Sequence, residues 1–153
     1  MPVAHVMPSR LVSISPDATV TDAVARMVDA GVGSVVVADG SRLEGIFTER
    51  DVLRLVADGE PLGSTVVRDV MTHDVVCVSP EDDPLDVAHL MAERRIRHAP
   101  IVEDGHVLGV VGIRDLLGLL LERAYGRHDT DARDTARDLL ARTPLSSSQA
   151  PGA

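Results

Sequence analysis

At 153 residues, 44% of them hydrophobic and 25% charged, the chain has the balance of an ordinary folded protein. It is long enough to close a core, either as one domain or as two small halves that share it. Its 15 basic residues, all arginine, stand against 24 acidic ones for a formal charge of −9, and one Phe, one Tyr and no Trp give bases almost nothing to stack on. Nucleic acid is thereby excluded as an expected partner, because such binding needs phosphate neutralisation or aromatic platforms.

The opening MPVAHVMPSR has neither the charged start nor the long apolar stretch of a secretion signal, and no later segment reaches the ~18 apolar residues of a membrane span. The expected location is cytoplasmic, with no membrane contact. Val12–Ser15 reads as a short strand, and the Ser15-Pro16-Asp17-Ala18-Thr19 that follows is turn chemistry. Thr19 and Asp22 form a capping box, and Val20, Val24, Met27 and Val28 fall on one face of a helix that Gly31 and Gly33 end. Ser34–Ala38 and Leu43–Phe47 are β-branched runs on either side of Asp39-Gly40 and predict a hairpin. A second helix opens at Thr48 and runs to Ala57. Asp58–Gly63 is a loop, and Thr65 is the expected cap of a short helical turn through Val70.

The same order of strand, helix, strand, strand, helix recurs from Val75 through Leu121. Cys77, the lone cysteine, lies in the strand-like run Val75–Val78 and is expected to be a small buried hydrophobe rather than a reactive thiol. Shifted by 64 positions, the two halves align without a gap: Val6, Met7, Val12, Ser15, Pro16, Asp22 and Met27 meet Val70, Met71, Val76, Ser79, Pro80, Asp86 and Met91. Gly45, Arg50, Asp51, Leu53 and Leu55 likewise meet Gly109, Arg114, Asp115, Leu117 and Leu119. A repeat of that length points to two half-domains that complete each other's core. Beyond Gly126, Asp131–Arg142 reads as a short helix packed on the body, and from Thr143 the Pro, Ser, Gln, Gly and Ala composition predicts a mobile end.

The segments Gly45-Ile46-Phe47-Thr48-Glu49-Arg50-Asp51 and Ile96-Arg97-His98-Ala99-Pro100-Ile101, with Val70-Met71-Thr72 opening the second copy, resemble cystathionine-β-synthase (CBS) domains over residues 6 to 121. The resemblance implies an α/β (α+β) fold in which two pseudo-symmetric β-α-β-β-α motifs pack as one Bateman-type module, with a short C-terminal helix added. The division it implies is motif 1 over residues 1–57, a linker over 58–69, motif 2 over 70–124, the C-terminal helix within 125–142 and a disordered tail over 143–153. It further implies clefts that bind AMP, ADP, ATP or S-adenosylmethionine, and pairing of two modules through their helices into a homodimer.

The family's nucleotide signature is Gly, two apolar residues, Ser or Thr, two variable residues, then Asp, and the first copy fits it throughout. A strand that runs straight into a helix capped by Thr48 aims unpaired N–H groups and the positive end of the helix dipole at one spot, where a phosphate would sit. Asp51 is then placed to accept ribose hydroxyls and Arg50 to pair with phosphate. Thr48-x-x-Asp51 is also a capping box, and it is the matching Arg114-Asp115 at the same place in the second copy that turns the expectation toward ligand contact. The second copy has Gly112 where a hydroxyl is preferred, and carries Arg95, Arg97 and His98, a basic cluster over the family's Ile-Arg-His segment that the first copy replaces with Val32-Gly33-Ser34. By the resemblance, Ser34, Val35, Val36, Arg97, His98, Ala99 and Pro100 line the clefts, with Arg97 and His98 near the ligand.

No nucleophile elbow, Cys-x-x-Cys, His-Glu-x-x-His or Walker loop is present, and the other histidines, His5, His73, His89, His106 and His128, show no metal-ligand spacing. The chain is therefore expected to be no enzyme, to hold no metal or cofactor, and to signal nucleotide state, as in energy sensing, to a partner protein in trans. The rival reading is a ligand-free assembly module. It draws on Leu116, Leu117, Leu119, Leu120 and Leu121, a run apolar nearly all round its helix, which implies a second partner surface.

Overall fold

The computed structural model describes residues 1–6 and 11–125; the expected C-terminal helix and tail lie outside the described residues. After a 3-10 turn over Val3–Val6, the first copy runs β1 (Ser13–Ile14), α1 (Val20–Ala30), β2 (Ser34–Asp39), β3 (Arg42–Thr48) and α2 (Glu49–Ala57). A one-turn helix α3 (Val67–Val70) leads to the second copy: α4 (Pro84–Arg94), β4 (His98–Glu103), β5 (His106–Gly112) and α5 (Ile113–Tyr125). The fold is a mixed α and β one with a five-stranded sheet in the order β1-β2-β3-β5-β4.

The repeat holds down to single residues of register. β2 pairs antiparallel with β3 from Ser34↔Thr48 to Asp39↔Arg42 with a break at Val37/Ala38, and β4 pairs with β5 from His98↔Gly112 to Glu103↔His106 with the break at Ile101/Val102. The two hairpins are joined at their turns, through the pair Arg42↔His106, a Val107 N–H to Ser41 carbonyl bond of 3.0 Å and a Ser41 Oγ to His106 Nδ1 contact of 2.6 Å, and by a shared apolar cluster of Val36, Ala38 and Val107. Their other ends are where both α2 and α5 begin.

Each copy has its own core. Ile14, Val20, Ala23, Met27, Val35, Val37, Phe47 and Leu55 close the first, and Val78, Val87, Met91, Ala99, Ile101, Val111 and Leu116 the second. The entry segments are exchanged. Val3 is buried in the second core, with its N–H on the Asp82 carbonyl at 3.1 Å, while Val67 is buried in the first, with its N–H on the Ala18 carbonyl at 2.8 Å. Burying one such valine is worth on the order of 1.5–3 kcal/mol, so each copy holds the other's first turn firmly.

Four expectations are corrected. The strand at Val75–Val78 shrinks to a single parallel bridge, Val78↔Ile101, because the Val75 N–H folds back onto the His73 carbonyl at 3.0 Å and pulls the run off the sheet. Cys77 is exposed, not buried: Val78 faces the core, and alternation along an extended chain turns its neighbour outward. Thr65 does not cap α3, whose N-cap is Val66; its hydroxyl instead donates to the Pro61 carbonyl at 2.8 Å and closes the linker turn. Val28 is 73% exposed, because at 100° per residue it sits roughly 100° from the arc centred on Val20, Ala23 and Met27. The Thr19–Asp22 capping box forms as the sequence predicts, at 3.1 and 3.2 Å.

Candidate functional site

β3 passes into α2 and β5 into α5 with no intervening loop, so both helix starts emerge at the open end of the sheet. Thr48 stays extended, at φ −125° and ψ 167°, and caps α2. Its N–H and its hydroxyl both donate to Asp51 Oδ2, at 2.8 and 3.2 Å, which leaves Asp51 only 8% exposed. Asp51 Oδ1 has only Arg54 Nη1 at 3.8 Å and accepts no hydrogen bond among the described residues. In the second copy the Gly112 N–H donates to Asp115 Oδ2 at 2.9 Å, and the carboxylate is exposed. Each carboxylate thus spends one oxygen on holding its helix start and keeps one for something else.

The family-type glycine of the first copy has a structural reason of its own. A Cβ on Gly45 would lie 2.5 Å from Met71 Sδ and 2.8 Å from the Thr72 carbonyl oxygen, because Thr72 bridges antiparallel to Ile46 and brings the backbones together. Only a residue without a side chain fits there.

The segments entering β2 and β4 face these helix starts. The Glu49 N–H bonds the Gly33 carbonyl at 3.0 Å, and the Ile113 N–H bonds the Arg97 carbonyl at 2.9 Å. Arg50 of α2 reaches across to the second copy, its Nη1 lying 3.5 Å from the Arg95 carbonyl. Arg95 itself ends α4 at φ 54°, where the first copy has Gly31 at φ 65°. An L-residue in this left-handed region costs on the order of 1–2 kcal/mol, so the arginine is held here against its backbone preference.

His98 is the hinge between the two helix starts. Burial pulls its imidazole below the ordinary range; the charges of Glu49 and Asp115 oppose that shift and those of Arg97 and Arg114 add to it. Residues from both copies therefore bear on one ring. Among the positions expected from the sequence, Thr48, Arg50, Asp51, Arg97, His98, Arg114 and Asp115 gather at the open end. Ser34, Val35, Val36, Ala99 and Pro100 are buried along the first residues of β2 and β4, with Val35 and Ala99 in the two cores. Glu49 escaped sequence reasoning; its signal was an acidic residue at the very first helical position beside an unfilled Gly33.

A hollow of about 240 Å³ lies apart from these residues, lined by Met1, Pro84, Leu119, Leu120, Glu122 and Arg123. Among the described residues no three His, Cys, Asp or Glu side chains converge to hold a metal, and no helix is long and apolar enough to cross a membrane.

Two copies of one strand–helix–hairpin–helix unit, closed on each other with their helix starts side by side, define a tandem α/β repeat module. The chain belongs to the CBS domain family, whose sequence pattern it matches at residues 3–58 and again at 67–122. It is 40% identical over 107 residues to the mitochondrial CBS domain-containing protein CBSX3 of Arabidopsis thaliana, covering 66% of this chain but only about half, 52%, of that protein. It is 34% identical over 115 residues to the CBS domain-containing protein YhcV of Bacillus subtilis, covering 74% of this chain and 81% of that one. Among solved structures it is similar to a CBS domain protein of Pyrobaculum aerophilum complexed with AMP, at 27% identity and a TM-score of 0.75, covering 81% of this chain and 98% of the other.

Proposed function

We propose that this chain is a non-catalytic regulatory module that takes an adenine nucleotide or S-adenosylmethionine at the open end of its sheet and passes the ligand state to a partner protein in trans. The observation that carries the reading is the pair Asp51 and Asp115, each at the third residue of a helix that starts directly from a strand, each with one oxygen capping and one left over. The free oxygen suits a ribose diol, and the uncovered N–H groups with Arg50, Arg97 and Arg114 suit an anion. The AMP held by the Pyrobaculum relative supports the same chemistry for this chain.

A thermal panel tests it. AMP, ADP, ATP and S-adenosylmethionine are each added at about one hundred times a micromolar Kd, where a ligand that binds only the folded state contributes about 2.7 kcal/mol and raises Tm by several degrees. At least one compound should do so, and the rise should shrink in Asp51→Ala or Asp115→Ala. A response undiminished in the double variant would refute the site.

A flat panel would favour the second reading, an assembly module. That reading draws on Leu53 and Val56 of α2, which are 71% and 57% exposed, and on the half-buried Leu117 and Leu120 at the matching positions of α5. These positions suit a homodimer on either reading.

A further inference from the structure

The two helix starts share a backbone but not a charge. α5 opens on Ile113 with Arg97 and Arg114 beside it, whereas α2 opens on Glu49. Where the second copy has Arg97, the first has Gly33, and the Glu49 carboxylate lies folded over that bare glycine: a Cβ on Gly33 would stand 3.1 Å from Glu49 Cδ and 3.2 Å from both of its oxygens. Arg50, the cation that could offset it, is drawn toward the Arg95 carbonyl of the other copy, 3.5 Å away. The positive end of the α2 dipole is thus faced by two of the helix's own carboxylates, Glu49 and Asp51, while that of α5 is faced by one, Asp115, with Arg97 and Arg114 as nearby cations.

We infer that Glu49 bars phosphate from the α2 start, so that phosphorylated adenosines enter only against α5, and the α2 side takes an adenine riboside whose 5′ end carries no negative charge. The inference rests on the adenine-riboside reading above and assigns a different substrate class to each half of the site. Two like charges about 5 Å apart repel strongly enough, even at an effective dielectric constant near 20, to change affinity by about tenfold or more.

Isothermal titration of the full chain with AMP and with adenosine separates the cases. In the unmodified chain AMP should saturate at one per chain; Asp115→Ala should abolish that binding and Asp51→Ala should spare it. Adenosine should also occupy the α2 side and lose that binding in Asp51→Ala. Glu49→Gln should add a second AMP per chain, at least about tenfold tighter than any weak second event before, and lost again when Asp51→Ala is added.

Two AMP molecules per unmodified chain, or a Glu49→Gln chain that still takes one, overturns the assignment. So does a Glu49→Gln change that alters AMP and adenosine in equal proportion, since a purely structural role would do that. A chain that binds neither compound in any variant overturns the parent reading, and this one with it.

Discussion

The two copies are superimposable in register yet unlike in content, and the difference separates what the backbone needs from what the site uses. The paired hairpin strands, the bulge, the left-handed helix end and the carboxylate cap recur at equivalent places. Among the residues that differ are Phe47, which answers to Val111 in the core, and, at the helix starts, Ser34, Gly33, Thr48 and Glu49, which answer to His98, Arg97, Gly112 and Ile113. Geometry is therefore set by a few repeated positions, and chemistry is free to diverge around them.

The comparison breaks most visibly in the core. Phe47→Ala should cost about 3–5 kcal/mol in denaturant unfolding, against roughly 2 kcal/mol for Val111→Ala, because the aromatic ring fills far more of the first core than valine does of the second. Equal losses would mean that the Phe47 ring fills no more of its core than Val111 does of the other.

Glycine comes next. Gly45→Ala pushes a methyl group against the Thr72 carbonyl and should cost about 1–3 kcal/mol, whereas in Gly112→Ala the nearest atom, 3.2 Å away, is an oxygen of the exposed Asp115 side chain that can turn aside, for a cost under about 1 kcal/mol. Thermal melts of the two variants side by side decide it.

The caps should differ less. Asp51→Ala strands two donors of Thr48 at a part-buried position and should lose about 1–2 kcal/mol; Asp115→Ala exposes one N–H already near water and should lose under about 1 kcal/mol.

The smallest effect is in pH. Because burial lowers the folded-state value of His98 below its ordinary 6.5, the unfolded chain takes up the proton first, and stability should fall as pH drops through 6.5 until the folded-state value is passed. Above 6.5 nothing is lost. His98→Ser, which copies the first half's Ser34, should flatten that part of the slope in a series of unfolding midpoints from neutral to acidic pH, and an unchanged slope would contradict the assignment.

Much of the fold was legible because a gapless repeat let each weak local signal be read twice. Thr19–Asp22 and Thr48–Asp51 announced their helices, and the β-branched runs announced both hairpins. What misled were signals decided by tertiary contacts. Val75–Val78 has the composition of a strand, but a local turn keeps three of its four residues off the sheet, and composition cannot reveal which partner's edge is within reach. The placing of Thr48, Asp51, Gly112 and Asp115 at helix starts was legible for the same reason as the hairpins. The nearness of Glu49 to His98 was not, since it depends on how the copies close and no spacing along the chain encodes it.

The exchanged entry segments carry a consequence for biosynthesis. Val3 is made before every residue it packs against, and its resting place against Val78, Val87 and Leu116 exists only once nearly all the described chain has been made. The first half must likewise wait for Val67 before it can seal. Neither sequence repeat is a unit of folding by itself, and a chain released at the midpoint would leave both hydrophobic interiors open.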